Sequence, residues 1–138
     1  MENLLYFISY EVFQFFVREI KFMKIAYWIV TGLLSLMMLG SAGMYIFNHA
    51  GVVEIMQSLH FPPYIVYPLA AAKILGVIAI LTRKSKTLTE WAYAGFFFDF
   101  LLAASAHYFA GVPSPLLAIV ALILLLISYT LGRKIYGG

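Results

Sequence analysis

Between Ile25 and Gly132 the chain is made of four apolar runs divided by three short breaks, and no other feature so narrows what it can fold into. The runs extend from Ile25 to Phe47, Tyr64 to Thr82, Trp91 to Ala110 and Pro115 to Gly132. A hydrocarbon core requires about 20 helical residues, or about 17 at the lower limit. Composition agrees: 64% of the residues are hydrophobic and 11% charged, against roughly 25% charged in a soluble domain. Backbone groups in lipid have no water to bond, so such runs fold as helices. The breaks carry helix-ending residues. "NHAGVVEIMQSLHFPP" holds Gly51 and the Pro62-Pro63 pair, "RKSKTLTE" is polar, and "GVPSP" offers Ser114 as an N-cap before Pro115 at the first helical position. The expected fold is all-α, a polytopic membrane four-helix bundle spanning residues 24–134.

The basic residues orient it. Arg18, Lys21 and Lys24 precede the first span, Arg83, Lys84 and Lys86 separate the second from the third, and Arg133 and Lys134 follow the fourth. The two other loops contain none. This positive-inside pattern predicts cytoplasmic N and C termini. The net charge of +3 therefore reports topology and attraction to anionic lipid, with the bilayer as partner and no nucleic acid. The chain has no cysteine, which excludes thiol-disulfide chemistry and thiolate metal sites.

Residues 1–23, "MENLLYFISYEVFQFFVREIKFM", form a separate region. Glu11, Gln14, Arg18 and Lys21 recur at helical spacing on one face, with aromatic and aliphatic residues on the others. This predicts an additional amphipathic helix lying in the cytoplasmic interface; a fifth span is the alternative. A basic start and a small-residue cleavage site, the marks of a signal peptide, are both missing.

Two charges lie inside the apolar runs. Asp99 follows Glu90 by nine residues, and Lys73 precedes Thr82 by nine. In an antiparallel hairpin both therefore stand about 13 Å above the same edge, at ~1.5 Å per residue. An isolated Lys or Asp at mid-membrane costs about 2.5–3.5 kcal/mol to insert, which predicts that they face each other. Ala92, Gly95, Ala103 and Ala106 lie within about 40° of Asp99 on a helical wheel, Ala72 and Gly76 flank Lys73, and "GSAG" runs from Gly40 to Gly43. Small residues of this kind allow close helix approach in lipid. Phe96, Phe97, Phe98 and Phe100 then point mostly elsewhere, to lipid or neighbouring helices. Such a pair either fixes helix register or marks a substrate or proton site.

His107 stands near the outer end of the third span and completes an intramembrane polar set with Lys73 and Asp99. His49, Glu54 and His60 are candidates on the outer face. The spacing of His49 and His60 matches no metal motif, so no metal is assigned, and a bis-histidine haem fails because only His107 lies in a span. Tyr45, Tyr64, Tyr67 and Tyr108 suit an outer interfacial belt, or a headgroup-level pocket for a quinone or lipid.

"KIAYWIVTGLL", "FPPY", "AAAKILGVIAIL" and above all "EWAYAGFFFDFLLAASAH" resemble the DoxX-like family of small four-helix bacterial membrane proteins, from about Met23 to Lys134. Members typically show Lys-x-x-Gly in the second helix, here Lys73 to Gly76, and a block like Glu90–Gly95, with Glu90 and Trp91 opening the third helix on the cytoplasmic side. Many carry a lysine near the end of the first helix, where this sequence has Met44 or Tyr45. The resemblance implies the bacterial cytoplasmic (inner) membrane. It also implies a redox association, since the family's namesake is a subunit linked to thiosulfate:quinone oxidoreduction, whereas animal relatives are linked to receptor assembly.

Two classes of function follow, enzyme or binding protein. The first expectation is a redox-associated subunit that binds a quinone or similar hydrophobic molecule between helices. With no haem, flavin or iron–sulfur motif in the sequence, it would take electrons from a separate membrane redox partner. The alternatives are a noncatalytic assembly or binding protein in which Lys73 and Asp99 are structural, and a small proton-coupled carrier, which would need a homodimer to enclose a path.

Overall fold

A computed structural model of the chain describes residues 1–110 and 115–137. It contains the helices α1 (Glu2–Phe47), α2 (His49–Ser58), α3 (Val66–Thr82), α4 (Lys86–Ala110) and α5 (Leu116–Tyr136), with a 3-10 turn at Pro63–Ile65 leading into α3. The described residues include no strand. Ser114, the expected cap of the last helix, lies outside the described residues.

Each long helix buries a stripe with alternating steps of three and four residues. On α1 the buried residues are Tyr27, Thr31, Leu34, Ser35, Met38 and Ala42, on α3 Val66, Ala70, Lys73, Val77 and Ile80, and on α5 Ala121, Leu125, Ser128 and Gly132. The corresponding residues of α4 are Thr89, Tyr93, Phe96 and Phe100. Such stripes pack helices nearly antiparallel around one core. Accordingly α1 packs against α3 and α5, and α4 packs against the same two, so the four surround a common axis.

Among the described residues, three helical segments, Glu2–Phe47, Pro63–Thr82 and Leu116–Tyr136, are long and apolar enough to cross a membrane. The sequence suggested four. α4 is long enough at 25 residues, but Lys86, Glu90 and Asp99, together with its threonine, tyrosine, tryptophan and histidine residues, lower its apolarity.

Other expectations are corrected. The segment 1–23 is not an additional helix: α1 runs unbroken through Met23 for 46 residues, because no proline or glycine interrupts it there. At 1.5 Å per residue α1 is about 69 Å long, well beyond the 40–45 Å of a whole bilayer. Residues 1–12 are exposed throughout, as are Phe13, Phe15, Phe16 and Phe22. The segment between the first and second apolar runs is largely helical, and Gly51 lies inside α2 rather than ending a helix. The break falls at Asn48, whose N–H bonds the Met44 carbonyl while its own carbonyl accepts from Val52 N–H. A Cβ on Gly51 would stand 2.7 Å from Asn48 Nδ2, so the glycine makes room for that amide. Of the two directions open to the phenylalanines, Phe96 and Phe100 take the one toward neighbouring helices, 5% and 3% exposed in the core, and Phe98 is 59% exposed. A Cβ on Gly76 would lie 2.5 Å from Phe96 Cζ; the small residue admits an aromatic ring instead of a helix backbone. Gly40 and Gly43 have no neighbour within 4 Å of an added Cβ, so they border open space rather than a tight helix contact.

Candidate functional site

Lys73 occupies a core position of α3, in series with Val66, Ala70, Val77 and Ile80. Its Nζ donates to Asp99 Oδ2 on α4, the only ion pair among the described residues. The lysine side chain is 6% exposed and the aspartate 24%. Nζ also lies 5.6 Å from the centroid of the Tyr45 ring on α1, within range of a cation–π attraction. Two groups from different helices therefore stabilise one ammonium, whose three donors are not exhausted by a single carboxylate oxygen.

Beside the pair the core is not filled. Toward the basic end, the buried stripes carry Tyr27, Leu34, Ile80, Tyr93, Phe96 and Leu125. In the other half the stripes alternate large and small side chains, Met38 and Phe100 with Ala42, Ala70 and Ala121, and Ala103, Ala118 and Ala121 are among the residues lining a half-open cavity of about 500 Å³. α2 and the segment after it close the cavity's far end with Val52, Ile55 and Phe61. Lys73, Asp99 and His107 supply the ionisable groups of a wall that is otherwise mostly apolar, with Ser41 and Tyr45 adding hydroxyls. His107 lies eight residues beyond Asp99, two turns or about 12 Å along α4. Its Nδ1 is buried and has no hydrogen-bond partner among the described residues. Buried polar atoms are nearly always bonded, so this nitrogen stands out, while the imidazole as a whole is only partly buried and lines the cavity. A second groove of about 620 Å³ between α3 and α4 reaches Lys73 and Asp99 from the other side. The ion pair thus forms part of the wall between two spaces.

The outer-face candidates do not converge. His49 stacks on Tyr67, ring centroids 4.2 Å apart and 7° from parallel, which ties α2 to α3. Its Nδ1 is also buried without a partner. Glu54 and His60 are exposed. No three His, Asp or Glu side chains gather at metal-binding distance among the described residues. Tyr64, Tyr67 and Tyr108 are exposed at 78%, 55% and 75%, as an interfacial belt requires, whereas Tyr45 turns inward to Lys73.

At the opposite, basic end the core holds a polar network that the sequence did not announce. The hydroxyls of Thr31 and Tyr93 each lie 2.7 Å from Ser128 Oγ, joining α1, α4 and α5. Glu90 Oε2 accepts from the Tyr129 hydroxyl at 2.9 Å, while Trp91 is 70% exposed. Arg83 Nη1 donates to Tyr27 Oη at 3.0 Å, and its guanidinium lies over the rings of Tyr27 and Tyr136 at 5.7 and 4.6 Å. Arg83 ends α3 in the left-handed conformation, φ 49°, a position where glycine is usual. The guanidinium's contacts with Tyr27 and Tyr136 offset the cost of that backbone. A Cβ on Gly132 would meet Tyr27 Cε2 at 3.0 Å and Arg83 Nη1 at 3.2 Å, so Gly132 makes room for this cluster. The available signal was the spacing: Tyr27 and Thr31 on α1, and Ser128 and Gly132 on α5, are polar or small residues four apart on otherwise apolar faces.

A protein-family model described as the DoxX-like family matches residues 29–130. No curated protein and no solved structure gives a match.

Proposed function

Because the chain belongs to the DoxX-like family and carries helices fit to cross a bilayer, it is an integral membrane protein, and we propose that it binds a quinone or similar amphiphilic small molecule in the cavity beside Lys73 and Asp99. One observation carries the reading. A cavity of about 500 Å³, walled mostly by apolar side chains, is reached by an ammonium–carboxylate pair and by the partly buried imidazole of His107, whose Nδ1 has no partner among the described residues. Small-molecule sites have this size and this distribution of groups, with few polar atoms fixing orientation in an apolar enclosure. Lys73 would donate to a carbonyl oxygen, Asp99 would hold the ammonium in place, and His107 would meet a second polar group. In this reading the protein is a redox-associated subunit of the bacterial cytoplasmic membrane. Electrons reach the quinone from a separate membrane partner, and the termini and Arg83 face the cytoplasm.

A second reading, that the pair only locks α3 to α4, is favoured by the 6% exposure of the Lys73 side chain. Titration of the purified, lipid-reconstituted protein with a short-chain benzoquinone and a short-chain naphthoquinone separates the two. The proposed site predicts saturable binding that weakens tenfold or more in His107→Leu and in the paired variant Lys73→Met/Asp99→Asn. Wild-type binding in both folded variants, or none in the parent protein, would refute it.

A further inference from the structure

The basic end of the bundle holds a second, half-open pocket of about 450 Å³, separate from the cavity at Lys73. Arg83 from the end of α3, Lys86 from the start of α4 and Arg133 from the last turn of α5 all line it. None of the three forms an ion pair among the described residues, where Lys73–Asp99 is the only one. Glu90 also lines the space, with one carboxylate oxygen engaged by the Tyr129 hydroxyl. The balance of formal charge around it is three positive against one negative.

Two of the three cations, Arg83 and Arg133, are held by side-chain contacts, whereas Lys86 is exposed. Arg83 is fixed by Tyr27 and Tyr136 in a backbone conformation unusual for its residue type. Arg133 is held against the Tyr129 ring, 5.7 Å from its centroid, with Nη1 3.4 Å from the hydroxyl. In both cases the contacts engage only part of a guanidinium that has five donors in a planar fork. Trp28 and Tyr136 close the side, joined by a hydrogen bond of 3.2 Å.

We infer that this pocket binds an anionic phosphate group, one whose negative charge is not offset by a cationic substituent. Two guanidinium forks and an ammonium, arriving from three helices, suit a tetrahedral oxyanion, which accepts several charge-assisted hydrogen bonds at once. The aromatic wall suits the region where acyl chains meet headgroups. An anionic phospholipid and a soluble phosphate ester present the same chemistry.

The test uses the full chain in a zwitterionic detergent, with binding read by native mass spectrometry and by thermal shift. Phosphatidylglycerol, phosphatidylcholine and inorganic phosphate are the three probes. The inference predicts one saturable site for phosphatidylglycerol or for inorganic phosphate, weakened at least tenfold by Arg133→Gln and by Lys86→Gln. Lys134→Gln, which removes one charge from an exposed position outside the pocket, should change it less than twofold. Saturation by the lipid but not by inorganic phosphate would identify a headgroup. Saturation by inorganic phosphate, with the same dependence on Arg133 and Lys86, would identify a soluble phosphate. Equal loss in all three variants would reduce the effect to surface charge and overturn the inference. So would equal binding of phosphatidylcholine, or no saturable binding of any probe.

Discussion

Removing either partner of the Lys73–Asp99 pair strands the other charge in the bundle, and the loss can be bounded from the structure. Insertion of a lone Lys or Asp at mid-membrane costs about 2.5–3.5 kcal/mol, and breaking buried pairs in soluble proteins costs about 3–5 kcal/mol. Asp99→Asn leaves a lysine that is 6% exposed, with only the Tyr45 ring face for compensation. Its cost should fall near 3 kcal/mol. Lys73→Met leaves a carboxylate that is 24% exposed and can find solvent or gain a proton, so its cost should be smaller, about 2 kcal/mol. Replacing both together removes the charges and their desolvation. The double variant should then lie within about 1–2 kcal/mol of the parent, leaving a coupling of about 3–4 kcal/mol in a double-mutant cycle. Reversible unfolding in mixed micelles, followed by far-ultraviolet circular dichroism, measures all four proteins on one scale. Additive losses, with a double variant about 5 kcal/mol down, would show that the contact contributes nothing and that each residue is satisfied elsewhere.

The packing makes equally specific claims. Gly76→Ala places a methyl group 2.5 Å from Phe96 Cζ, and because that ring is itself buried the substitution should cost about 1–3 kcal/mol, read as a lowered unfolding midpoint. Ser128→Ala removes the group shared by Thr31 and Tyr93 and leaves two buried hydroxyls to pair with each other or with nothing; a loss of about 1–3 kcal/mol is expected, against little change for Thr130→Ala, whose hydroxyl only back-bonds to its own helix. For topology, a single cysteine at Gln57 should react with an impermeant thiol reagent added outside intact cells, and one at Thr87 should react only after permeabilisation; the opposite pattern would invert the assignment.

How much of this could be read from the residues depends on how local the cause was. The long helices follow from runs of apolar residues and from the cost of unbonded backbone in lipid, a local rule; α3 ends at Thr82 as the polar stretch required, whereas α4 begins at Lys86, inside that stretch, because polar residues there favour solvent without breaking a helix. The Lys73–Asp99 contact was legible because both charges sit at equal depth in adjacent antiparallel helices, leaving each one obvious partner. The continuity of α1 was obscured by a polar stripe at Glu11, Gln14, Arg18 and Lys21, which marks a preferred surface but does not break a helix. Gly51 was misread because a glycine permits a turn without requiring one, and here it accommodates the Asn48 side chain. The cavity and the Thr31–Ser128–Tyr93 network were not legible, since both depend on which residues of four helices share a level. That register is set by the packing of whole faces rather than by any short stretch.

The central claim is that the space beside Lys73 holds a guest molecule, and the most direct measurement is the mass of the intact protein with whatever it retains on purification. The account predicts one hydrophobic small molecule per chain, identifiable after extraction as a quinone or a similar amphiphile. It should be absent from a folded Ala103→Trp variant, in which the indole occupies the cavity. Equal retention by parent and variant, or no retained molecule other than bulk lipid, would contradict it.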